Sequence, residues 1–185
     1  MLTLHQVRAV RSAPAGADAV VVDGARIAAL GPYEELFAAY GERARVRRWD
    51  GVLTPGRHEP DAVALLQAAY WPDPREADEL GTDPLTGTDL DRLGMTDTRW
   101  GHSARRGLQR LLAIGTTSLA GPFTHPSVRT AVTRSGIRVV TAAPPEAPLI
   151  PSAPADFAIF TETGTCLATA IKGRLLFRRR QGKTP

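Results

Sequence analysis

The side chains in this sequence best suited to metal or nucleophilic chemistry are four histidines and a single cysteine. His58 opens the run His58-Glu59-Pro60-Asp61, which brings an imidazole and two carboxylates close together along the chain. His102 directly precedes Ser103, and His125 directly precedes Pro126. Imidazole nitrogen and carboxylate oxygen are donors that hold a divalent ion, so His58, Glu59, Asp61, His102 and His125 are the candidate metal-binding residues. Each also has a plainer reading. A His-Glu-Pro-Asp run more often leads into a helix, with its acidic residues near the positive end of the helix dipole. His102 and His125 stand near the starts of two expected helices, as surface or capping-region residues. Sequence alone does not bring the three histidines together. Cys166 cannot form an internal disulfide. No histidine motif adjoins it, so it reads as a strand-end thiol rather than a nucleophile. Trp49, Tyr70, Trp71 and Trp100 read as packing residues more readily than as a ligand platform.

The elements that must position these groups follow from the hydrophobic pattern. Leu2 to Val10 alternates apolar and polar residues, the period of a half-buried strand. Ala19–Val22 and Arg26–Leu30 flank Asp23-Gly24, a strong hairpin signal because glycine accepts the positive φ of a tight turn. Tyr33 to Tyr40 reads as a short helix capped by Gly41, followed by strands at Arg45–Trp49 and Val52-Leu53. Asp61 to Trp71 is a helix candidate, with Pro60 at its start. Residues 72–100 read as a long loop with one helical turn near Asp89–Leu93. A helix at Ser103–Ile114, a strand at Thr116–Ala120, a helix at Ser127–Arg134 and a strand at Ile137–Thr141 suggest βα units with parallel pairing. Three closing strands are expected at Asp156–Phe160, Leu167–Ile171 and Arg174–Arg178, the last two joined by a Lys172-Gly173 turn.

A chain of 185 residues suffices for one domain with a substantial core, or for one domain and a small appendage. Its 43% hydrophobic and 23% charged content is ordinary for a globular protein. No apolar stretch approaches the length that spans a bilayer, and His5, Arg8 and Arg11 interrupt the N-terminal run where a signal peptide would be cleanly apolar. The sequence therefore reads as cytoplasmic, with no membrane partner. The net charge of +4 is carried almost wholly by arginine. The arginines are scattered apart from Arg43, Arg45, Arg47 and Arg48 and the trio Arg178, Arg179 and Arg180. No dense basic face with interleaved aromatics is apparent, which argues against a nucleic-acid partner.

Three segments in order resemble the amidohydrolase superfamily, in particular its imidazolonepropionase and aminodeoxyfutalosine deaminase branch. The first is VVVDGARIAALGPYEEL at Val20–Leu36, followed by RVRRWDGVLTPG at Arg45–Gly56. The second is Arg105 to Val140, similar to the helix, Gly-Thr-Thr strand, helix and Gly-Ile-Arg strand found early in that family's barrel. The third is ADFAIF with LATAIKGRLLF, at Ala155–Phe177, which resembles the family's closing strands. The resemblance implies an α/β fold in which the N- and C-terminal strands make one composite β-sandwich-like domain beside a TIM-type barrel. It also implies hydrolysis of non-peptide C–N bonds by a metal-bound hydroxide.

The same resemblance marks what this sequence lacks. It implies a His-x-His pair shortly after Pro55-Gly56, yet ungapped alignment puts Asp61 and Val63 there, and valine cannot ligate a metal. Beyond Val140 it implies further barrel strands, yet the closing strands follow almost at once, whereas a TIM barrel takes about 200 residues or more. The expected organisation is a composite β-domain from residues 1–56 and 154–180, a truncated remnant of two βα units at 57–141, and a proline-rich connector at 142–153. The expected function is that of a degenerate, non-catalytic amidohydrolase-like protein with no catalytic residue, metal or cofactor. It would act through a partner, another copy or another protein, or by binding a small molecule, since a truncated barrel leaves apolar surface uncovered. The alternative is an active metal-dependent C–N hydrolase or deaminase. Its zinc would take ligands from His58, Glu59, Asp61, His102 and His125, in a rearranged site or one completed across a dimer.

Overall fold

The structure is a computed structural model, which describes residues 1–11, 13, 15–142 and 148–179. In chain order the strands are β1 (Leu2–Gln6), β2 (Ala9–Val10), β3 (Ala19–Asp23), β4 (Arg26–Gly31), β5 (Arg45–Arg48), β6 (Val52–Pro55), β7 (Arg57–Glu59), β8 (Thr116–Ala120), β9 (Arg138–Val140), β10 (Phe157–Phe160), β11 (Cys166–Ile171) and β12 (Arg174–Arg178). The helices are α1 (Tyr33–Tyr40), α2 (Ala62–Gln67), α3 (Ala77–Leu80), α4 (Gly87–Asp91), α5 (Asp97–Ala113) and α6 (Pro126–Ser135), with a 3-10 turn at Pro74–Glu76. The chain is mixed α/β and, among the described residues, its three sheets form no closed barrel. It divides into two units. The first comprises Met1–Arg57, Leu112–Thr117 and the described residues beyond 147; the second comprises His58–Leu111 and 118–142.

The first unit holds two sheets, in strand orders β4-β3-β1-β5 and β12-β11-β10-β6-β2. Ala19 to Val22 read as an unbroken apolar run because β3 is covered on both faces. Val20 and Val22 join a core with Ile27, Leu53, Phe157 and Ile159. Ala19 and Val21 join a second core with Leu4 and the α1 residues Tyr33 and Leu36. Strands distant in sequence meet in the second sheet, where β10 runs antiparallel to β6 from Phe157↔Pro55 to Phe160↔Val52.

Local chemistry sets the connections. The single strand expected from Leu2 to Val10 is two: β1 pairs with β3 and β5, whereas β2 pairs with β6 in the other sheet. Between them, Val7 N–H donates to Asp18 O and Arg8 N–H to Gly51 O, so the chain changes sheet without orphaning these amides. The first hairpin turns on Gly24-Ala25, with Gly24 at φ 56°. The last turns on Lys172 and Gly173, both left-handed at φ 49° and 73°, the geometry that favours two-residue hairpins. Gly41 ends α1 but in right-handed conformation. Its lack of a side chain serves close packing instead, because a Cβ there would overlap the carbonyl and ring of Phe37.

The third sheet has the order β7-β8-β9. Strands β8 and β9 are parallel, Ser118↔Arg138 through Ala120↔Val140, with α6 as the crossover between them. Arg57-His58-Glu59, expected as polar loop, is the edge strand β7, and α2 is shorter than expected, ending at Gln67. Residues 72–96 carry more structure than a loop. Asp73 and Glu76 make a reciprocal capping box around Pro74, and Tyr70 and Leu85 exchange both backbone hydrogen bonds. Helix α5 begins at Asp97 rather than Ser103, because Thr96 Oγ1 accepts from Arg99 N–H and caps it early. No helix among the described residues is long and apolar enough to cross a membrane. Residues 143–147 of the connector, and Arg180 of the arginine trio, lie outside the described residues.

Candidate functional site

Within the first unit, the strand leading to the candidate residues depends on Gly56. A Cβ at this position would overlap the buried side chain of Thr117 on β8, so only glycine lets the two backbones come this close. His58 follows on β7, half-buried, and its Nδ1 shares a 3.1 Å hydrogen bond with the buried Ser118 Oγ of β8. An imidazole within hydrogen-bond reach of a serine hydroxyl is the first element of nucleophile activation. Ser118 is only 3% exposed, however, and no carboxylate orients the ring among the described hydrogen bonds. The pair therefore ties β7 to β8. Glu59 turns back on the chain, its Oε1 accepting from Asp61 N–H at 2.9 Å. Asp61 is the residue before α2 and makes no side-chain cap, and Val63 lies half-buried on α2 itself.

The other two histidines are placed elsewhere in the second unit. His125 is the N-cap residue of α6, but its ring does not cap the helix. Its backbone N–H donates to Gln67 Oε1 at 2.7 Å, its ring packs on Trp100 with centroids 5.4 Å apart, and its Nε2 lies 3.6 Å from Asp97 Oδ1. Its Nδ1 is buried without a hydrogen-bond partner. His102 lies inside α5, exposed, and not near the helix start where the pattern put it. The three-histidine set is not assembled: among the described residues no three His, Cys, Asp or Glu side chains are grouped to hold a metal ion. The donor set that metal hydrolysis requires does not fit these positions.

A polar network in the second unit has little signal in the sequence. Tyr70 Oη donates to Glu76 Oε2, Asp73 N–H donates to the same oxygen at 2.9 Å, and Arg99 pairs with Oε1 at 3.0 Å. These bonds, led by that from Tyr70, hold the Glu76 carboxyl below the usual carboxylate range, while burial pushes the Tyr70 phenol up. Arg99 and Arg106 stack over the Tyr70 ring, and Arg106 pairs with Asp73. The network fastens residues 70–76 to α5. Its one sequence signal is the Asp-Pro-x-Glu capping box. In the first unit, burial pushes the Cys166 thiol up, which suits a packed side chain and not a nucleophile.

No family model matches the chain, and no curated protein matches it. Solved structures that resemble it include ochratoxinase from A. niger, with 18% identity over 75% of this chain and 30% of that one, at a TM-score of 0.48. Guanine deaminase from E. coli matches with 13% identity over 75% of this chain and 35% of that one, at 0.49. An amidohydrolase from a Sargasso sea environmental sample matches with 16% identity over 83% and 39%, at 0.46. The chain thus spans about a third of the length of these proteins.

Proposed function

We propose that this chain is a relative of the metal-dependent amidohydrolases that acts by binding a partner protein or a small molecule, without metal-assisted hydrolysis. One observation carries the reading. Where the resemblance calls for a His-x-His pair, the chain has Asp61 before α2 and Val63 upon it, and the nearby His58 is engaged with Ser118. Support also comes from the interior of the chain. Residues 141–156, between β9 and β10, leave no room for the further βα units of a barrel, which takes about 200 residues or more. In this reading the composite β-domain persists as a scaffold, and the two βα units are what remains of the barrel.

Metal analysis of the purified chain, with assays for aminopurine deamination and cyclic-amide hydrolysis, tests the proposal. Substoichiometric zinc, iron and manganese with no turnover is the expected result. Stoichiometric metal accompanied by turnover that His58→Ala or Asp61→Ala abolishes would overturn it in favour of an active C–N hydrolase.

A further inference from the structure

Helices α5 and α6, both within the second unit, enclose an open cleft of about 500 Å³. That volume lies in the range of small-molecule sites. The floor is apolar, with Leu108 and Ala131 buried beneath it. Gly101 faces Ser127, where a Cβ would reach ordinary van der Waals contact at 3.6 Å, so the two helices approach closely at this end of the cleft. The rim is cationic: Arg105 from α5 and Arg134 from α6 both line it.

What sets those two guanidiniums apart is that both are unpaired and both line the same cleft. Arg99 pairs with Glu76, Arg106 with Asp73 and Arg110 with the Thr82 carbonyl, whereas Arg75, Arg129 and Arg138 are exposed without a side-chain partner among the described residues and line no part of the cleft. Among the described residues, neither Arg105 nor Arg134 has a carboxylate or hydrogen-bond partner. Asp97 is the one acidic side chain lining the cleft, and it faces His125 Nε2. Two forked cations over an apolar floor complement a carboxylate attached to a flat hydrocarbon body, the guanidiniums gripping the oxygens and the floor taking the ring. We propose that the α5–α6 cleft binds a small organic carboxylate. The proposal stands apart from the metal question, because none of the residues that grip the ligand belongs to the His58 region.

The test uses the whole isotopically labelled chain, titrated with benzoate, with benzamide as its neutral counterpart and with inorganic phosphate, observed through amide and arginine Nε–H resonances. Benzoate is expected to shift Gly101, Arg105, Ser127 and Arg134 saturably at millimolar concentration, and benzamide and phosphate are expected to bind more weakly. Arg105→Ala and Arg134→Ala, both at exposed positions, should each weaken benzoate about fivefold or more, as loss of one charge-assisted hydrogen bond at a solvent-facing rim. Arg105→Lys should fall between, because it keeps the charge and loses the fork. Equal binding of benzamide or phosphate, unchanged affinity in both alanine variants, or no saturable shift would each overturn the proposal.

Discussion

Acidification from pH 7 to pH 5 should destabilise the first unit through one side chain, His5. This imidazole is 1% exposed on the central strand β1, with the edge of Phe157 against its ring at 5.2 Å. Trp49 Nε1 donates to its Nδ1 at 3.1 Å, which requires that nitrogen to be the bare acceptor of a neutral ring. Burial, assisted by the charge of Arg47, lowers its pKa from 6.5 to about 4. A protonated His5 would turn an N–H toward the Trp49 N–H and place a charge in an apolar core. The sign follows from proton uptake. Between pH 6.5 and 4 the unfolded chain binds a proton that the folded chain refuses, so stability falls as pH falls through that window. The loss reaches about 3 kcal/mol below pH 4 and about 2 kcal/mol at pH 5, by the linkage between pKa and stability. Urea titrations at pH 7 and pH 5, followed by tryptophan fluorescence, should show this loss in the wild type. It should be largely absent in His5→Asn, whose amide oxygen can still accept from Trp49 and does not titrate. Carboxylates contribute equally to both proteins and cancel in the difference. Equal acid sensitivity of the two proteins, or a His5 ring titrating near 6.5 by NMR, would refute the reasoning.

Gly56→Ala forces a methyl into the buried Thr117 side chain and should cost about 1–3 kcal/mol, measured as a lowered urea midpoint. Glu76→Ala leaves Tyr70 Oη and Asp73 N–H without their acceptor and frees Arg99, so a loss of about 2 kcal/mol is expected. Limited proteolysis should then cut residues 72–96 sooner than in the wild type. Ser118→Ala removes the partner of His58 Nδ1, should cost about 1 kcal/mol, and should leave the metal content of the protein unchanged. On the proposed metal-free reading, prolonged treatment with EDTA should leave the thermal midpoint where it was; a fall of several degrees would show an ion within the fold.

The strands of the first unit were legible because each carries its own signal. β3 is a run of apolar residues, and the hairpin turns are marked by Gly24 and by Lys172-Gly173. The break between β1 and β2 has only a slight signal, a slip of the apolar positions from Leu2 and Leu4 to Val7 and Ala9, and the amide partners Asp18 and Gly51 show the change of sheet. In the second unit the early start of α5 rests on one threonine, Thr96, whose capping role depends on its backbone geometry as much as on its identity. The surroundings of the candidate residues were least legible. His58 meets Ser118 across sixty positions of sequence, and Arg105 and Arg134 come to one cleft only because α5 and α6 cross. No local pattern encodes such meetings; they follow from strand order and helix packing.

A bound metal fastens elements that are remote in sequence, and the free energy of coordination is then part of the folding free energy. In the second unit hydrogen bonds join the same kinds of elements. His58 with Ser118 joins β7 to β8; Gln67, accepting from His125 N–H, joins the end of α2 to the start of α6; Glu76, gathering Tyr70, Asp73 and Arg99, joins the chain after α2 to α5. Each such bond contributes about 1–3 kcal/mol where a charged group is involved and less where none is. They do so without deprotonated ligands converging on one point. This arrangement gives a physical account of how the βα units are held in place. Arg105 and Arg134, which line the α5–α6 cleft, take no part in these ties.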